Sequence, residues 1–162
     1  MQVVHRIAGV VAAIAIVAIG RMSVYSAEPI GDAAVARDRA LYSGTWRLVA
    51  VEANGEEKRE QDRTVIVVNR LDGSWTMTID DLETHHGESR IDPLASPPEI
   101  AIEITGGDGS GTVLRAIYEV GETRRRICFR GEQGWRPREF RTQSGDGAVL
   151  VTFEKVADAT AP

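Results

Sequence analysis

The stretch Ser43-Gly44-Thr45-Trp46-Arg47-Leu48-Val49-Ala50-Val51-Glu52-Ala53-Asn54-Gly55 carries the reading of the fold. Residues 45–53 are rich in valine, threonine and other strand-favouring residues. Asn54-Gly55 closes them with a dipeptide suited to a type I′ hairpin, whose two central residues both need positive φ. One of only three tryptophans in the chain, Trp46, stands at the start of this strand, two positions after Gly44. At a strand edge such an aromatic reads first as a possible binding residue, and the landmarks downstream decide whether its role is architectural instead.

Working downstream, the same texture continues. Residues 64–69 read as a second strand, and Leu71-Asp72-Gly73 turns the chain. Residues 74–80 alternate, with Trp75, Met77 and Ile79 on one face and Thr76 and Thr78 on the other, the period of a half-buried strand. The charged run 56–62 reads as a loop or helical turn, and residues 82–91 as one or two short strands. Pro93, Pro97 and Pro98 mark a connection. Residues 99–105 alternate again, with Ile100, Ile102 and Ile104 inward and Glu99 and Glu103 outward. Residues 112–120, 123–130, 138–142 and 148–156 supply the rest. Eight to ten strands joined mostly by tight turns predict an all-β domain. Closure into an up-and-down antiparallel barrel removes the bare edges most simply; a two-sheet sandwich is the alternative.

Working upstream, residues 28–42 are rich in alanine and charge, and Ala33, Ala34, Ala36, Ala40 and Leu41 predict one or two helical turns. We assign 27–40 as a flexible or helical segment, 41–156 as the barrel domain and 157–162 as a disordered tail. The first 26 residues have the three-part order of a secretory signal peptide. Basic His5 and Arg6 come first, an apolar run of 14 residues (7–20) follows, and small residues suitable for processing end it. A run of that length falls short of the roughly 20 residues of a membrane-spanning helix. Cleavage is expected after Ser26 or Ala27, giving a periplasmic or extracellular protein with no stable membrane span. Removing Arg6 and Arg21 moves the net charge from −5 to −7. That acidity argues against nucleic-acid binding, which depends on neutralising phosphates.

The ordered landmarks from residue 41 to 156 resemble a family. Gly44-Thr45-Trp46 after a short helical turn is similar to the Gly-x-Trp motif that opens the first strand of lipocalins. Asn54-Gly55, Ile91-Asp92-Pro93, Ile117-Tyr118-Glu119, Ile127-Cys128-Phe129 and Arg136-Pro137-Arg138-Glu139-Phe140 follow in order. The set most resembles the uncharacterised exported lipocalin-like domain proteins of planctomycete bacteria. The resemblance implies a lipocalin-like barrel and export. It also implies that Gly44 and Trp46 close one end of the barrel, with the Trp46 ring beneath an arginine from a late strand. Arg124, Arg126 and Arg141 are the candidates for that arginine. The second lipocalin signature, Thr-Asp-Tyr, is absent.

Other clusters read as structure before chemistry. His85-His86, amid Asp80, Asp81, Glu83 and Glu88, is the densest set of metal-ligand types, and the two histidines are the weak metal candidates. Adjacent strand residues face opposite ways, however, so both reach one ion only across a turn. A solvated edge or loop is the reading adopted, with no metal and no cofactor expected. The glycine-rich run 106–111 lacks the Lys-Ser/Thr pair of a phosphate-binding loop and reads as a hairpin loop at the barrel mouth. Alternation places Arg124, Arg126 and Arg130 on one face, opposite Arg125, where they can pair across the sheet with Glu99, Glu103 and Glu119. Cys128, the single cysteine, reads as a buried thiol.

No nucleophile–base arrangement is apparent, so no catalytic residues are assigned and an enzyme is not expected. The leading expectation is an exported barrel that binds a small hydrophobic or amphipathic ligand, through residues the sequence does not identify. The alternative is an envelope-associated interaction or structural module with a side-chain-filled barrel.

Overall fold

A computed structural model describes residues 31–59, 62–131 and 135–157. The expected signal peptide, and all but the first residue of the expected tail, lie outside the described residues. Helix α1 (Asp32–Tyr42) leads into β1 (Gly44–Ala53), β2 (Glu56–Arg59), β3 (Val65–Asn69), β4 (Ser74–Ile79) and β5 (Leu82–Asp92). β6 (Glu99–Gly106), β7 (Val113–Val120), β8 (Arg124–Arg130) and β9 (Ala148–Lys155) complete the chain. From β3 onward each strand pairs antiparallel with the next, and β9 returns to pair with β1, closing an eight-stranded lipocalin-like barrel. β2 and β3 share one edge of β1. β2 pairs with its C-terminal half (Ala53↔Glu56) and β3 with its N-terminal half (Gly44↔Asn69).

The opening strand behaves as its residues dictate. Asn54 (φ 56°) and Gly55 (φ 78°) both take the positive φ of the hairpin. That turn sets the Ala53↔Glu56 register and zips the start of the charged run into β2, where a loop or helical turn was expected. All four β2 residues are exposed, so their charges stay in water. The region expected to hold one or two short strands is a single 11-residue strand, β5. Helix α1 also runs longer than two turns.

The strand expected at 138–142 does not form. β8 and β9 already bond to each other along their lengths, so a closed barrel leaves no edge for that segment to join. It lies instead against the outside of the barrel. Phe140 covers a small outer cluster of Ile117, Cys128 and Leu150. Thr142 donates its backbone N–H and its hydroxyl to Glu52 Oε1, at 3.2 and 2.8 Å, and Arg136 pairs with Glu99. Cys128 is fully buried there, and burial pushes its thiol up to about 11.

The inward residues form one core inside the barrel. Trp46, Leu48, Val65, Val67, Trp75, Met77, Ile100, Ile104, Tyr118, Ile127 and Phe153 are all buried. Gly87 is required beside Trp75, since a Cβ there would meet the Glu103 carbonyl oxygen and the indole at 2.9 Å. Among the described residues no helix is long and apolar enough to cross a membrane.

Candidate functional site

The two ends of the barrel differ in kind. At one end the chain enters through α1 and β1, and buried side chains seal it. Trp46 is fully buried, and its indole N–H donates to the Tyr42 carbonyl oxygen at 2.9 Å. The Tyr42 and Tyr118 rings meet edge to face at 5.8 Å, and the Tyr118 hydroxyl donates to Asp38 Oδ2 at 2.8 Å. Arg39 donates to the Ser89 hydroxyl (2.9 Å) and carbonyl oxygen (2.7 Å). These contacts pin α1 across the barrel's base. Burial, with the Asp38 hydrogen bond second, raises the Tyr118 phenol far above its usual range.

The arginine of this plug is Arg125, not Arg124, Arg126 or Arg141. The same alternation that sends Arg124 and Arg126 outward sends Arg125 into the lumen, where its guanidinium carbon lies 4.4 Å from the Tyr42 ring centre. The Trp46 and Phe153 ring centres are 4.7 and 4.6 Å away. Its Nη1 donates to Asn69 Oδ1 at 2.6 Å. Among the described residues no carboxylate pairs with it, so three aromatic faces and one amide stand in for a counter-ion. Burial lowers its pKa to about 10, and it remains a cation at neutral pH. Outside the barrel, Arg126 pairs with Glu119 and lies 5.0 Å from the Phe140 ring centre. Gly44 and Trp46 thus occupy the closed end, and Lys155 donates to the Leu41 carbonyl oxygen at 3.2 Å, capping the last turn of α1.

Above this floor the barrel is not filled. A cavity of about 110 Å³ is bounded below by Tyr42, Phe153 and Arg125 and walled by residues such as Val67, Met77, Ile104 and Leu114. Trp46 lies outside its lining. Of the polar residues on its wall, Asn69 and Ser89 are engaged by Arg125 and Arg39 respectively. The other end carries the Asn54-Gly55, Asp80-Asp81 and 107–111 turns, the last being the glycine-rich loop expected there. Gly107 (φ 91°) packs against β5 so closely that a Cβ would sit 2.1 Å from the Thr84 carbonyl oxygen and 3.1 Å from His85.

His85 and His86 separate as strand geometry requires, but they lie within β5 and not on a loop. His85 is buried on the cavity wall, whereas His86 is partly solvated and pairs with Glu83 at 3.2 Å. Their rings do not converge. Burial lowers the His85 pKa, opposed by Asp108, so the ring is neutral at neutral pH. His85 Nε2 and Trp75 Nε1 have no hydrogen-bond partner among the described residues, and both atoms are fully covered. Sequence reasoning missed His85 as a lumen residue because polar residues flank it on both sides. The signal that could have found it is its place in the Gly87, Ser89, Ile91 series of inward positions.

No family profile, curated protein or solved structure matches this chain.

Proposed function

We propose that this protein is an exported, non-enzymatic binding barrel that holds a small apolar ligand, or the apolar end of an amphipathic one, in its lumen. The cavity carries this reading. Small barrels can fill their interiors with side chains or keep room for one guest. Here a space of about 110 Å³ persists above an elaborately packed floor. An apolar cavity of this kind is a site for an apolar guest, since water entering it would lose its hydrogen bonds. The leader-like order of residues 1–26 supports export, and N-terminal sequencing of protein from its own host tests that part.

Ligand binding is tested by methyl NMR of the folded protein on addition of benzene. Shifts confined to lumen residues such as Val67, Ile104 and Leu114, and abolished by a lumen-filling Leu114→Trp change, are expected. Unmoved lumen methyls would favour the filled-barrel interaction module.

A further inference from the structure

A cation at the floor of an apolar cavity suggests at first an acid ligand whose carboxylate meets it. The surroundings of Arg125 argue the opposite. Its guanidinium lies under 5 Å from the centres of three aromatic rings, and Nη1 is committed to Asn69 at 2.6 Å. Its Nε is fully covered and presents no surface to a guest. Trp75 Nε1 and His85 Nε2, on the same wall and also without partners among the described residues, are covered in the same way. What the cavity offers its occupant is hydrocarbon from Val67, Met77, Ile104 and Leu114. A carboxylate placed there would exchange its hydration for walls that are almost wholly hydrocarbon, a loss far larger than a methyl group incurs.

Size narrows the class further. An apolar cavity of roughly 150 Å³ accepts a benzene molecule, and this one, at about 110 Å³, is of the same scale. We therefore propose that the lumen selects neutral apolar molecules of single-ring scale and rejects their carboxylate counterparts. The inference rests on the lumen-binding reading and goes beyond it by naming charge and size as the selection rules. Arg125 then serves the barrel's closure and not the ligand's charge.

Calorimetric titration of the folded protein with toluene, benzoate and naphthalene tests both rules, with lumen methyl shifts confirming where each one binds. Toluene is expected to bind in the lumen, and benzoate to bind at least tenfold more weakly. Naphthalene is expected to bind no more tightly than toluene despite its larger apolar surface. Benzoate binding tightest would overturn the charge rule and make Arg125 a ligand counter-ion. Naphthalene binding tightest would overturn the size rule. Either result leaves lumen binding itself standing. Failure of all three to bind would overturn this inference together with the reading it rests on.

Discussion

Replacing Trp46 with alanine tests whether the opening strand closes the barrel. The indole is fully buried, and large-to-small changes of a buried tryptophan cost about 3–5 kcal/mol through lost transfer energy and the cavity left behind. Two specific contacts go with it. One is the indole N–H bond to the Tyr42 carbonyl oxygen, worth about 1 kcal/mol net. The other is one of the three ring faces around Arg125, worth about 1–2 kcal/mol when desolvated. The expected loss is therefore about 5–8 kcal/mol, comparable with the whole stability of a marginal domain. Trp46→Phe keeps a ring but removes the N–H donor, so it should cost only about 1–2 kcal/mol and fold well enough to measure. Urea unfolding at equilibrium, followed by far-UV circular dichroism, reads both variants. A Trp46→Ala protein within 2 kcal/mol of the parent would refute the plug argument, and so would a phenylalanine variant as unstable as the alanine one. A melt that is unchanged while ligand binding disappears would make Trp46 a ligand contact instead.

Arg125→Met leaves Asn69 Oδ1 without its donor and should destabilise by about 1–3 kcal/mol in the same assay. Arg125→Lys should do no better, because the compact ammonium cannot stack flat on three rings; full recovery with lysine would contradict this. His85 has a lowered pKa in the folded state, so the unfolded chain takes up its proton first as pH falls. Its contribution to stability is present above about pH 6.5 and is lost below it. Urea midpoints at pH 7.5 and 5.0 should show a drop that is smaller in His85→Met; an equal drop would remove His85 from the account. Cys128, buried and with its thiol raised to about 11, should react with a thiol-specific dye only as fast as the barrel opens. Modification within seconds in the native state would show that the 135–147 segment does not seal it.

Much of the barrel was legible because alternation is a local property. Trp75 and Met77 in β4, and Ile100 and Ile104 in β6, show their inward face in a window of a few residues. The Asn54-Gly55 hairpin was legible because few dipeptides tolerate two positive φ values in succession. The misreadings fall where pairing partners outweigh local composition. β2 is charged throughout yet becomes a strand because the hairpin delivers it to β1. Residues 138–142 look extended yet join no strand, because closure of β8 on β9 and of β9 on β1 leaves no free edge on either of those strands.

The identity of the plug arginine depends on phase as well as pattern. Arg124, Arg125 and Arg126 are alike in composition, and alternation assigns 124 and 126 to one face and 125 to the other. Which face is the lumen follows from the register of β8 against β7 and β9, where Arg125 pairs with Val120 and Phe153. His85 follows the same rule: its neighbours are polar, and the inward phase of Ile91, Ser89 and Gly87 along β5 carries it onto the cavity wall.

By itself, the sequence determined the strand periods, the hairpin turns, the entry tryptophan and hence an all-β antiparallel domain, because those depend on side-chain alternation and local φ preferences. Only the tertiary structure decided which arginine lies beneath the aromatic rings, where the two histidines go, and that a cavity of about 110 Å³ survives above the floor. Those depend on how eight strands meet around a common axis, and a volume lined by residues far apart in the chain has no signature in any one stretch of it.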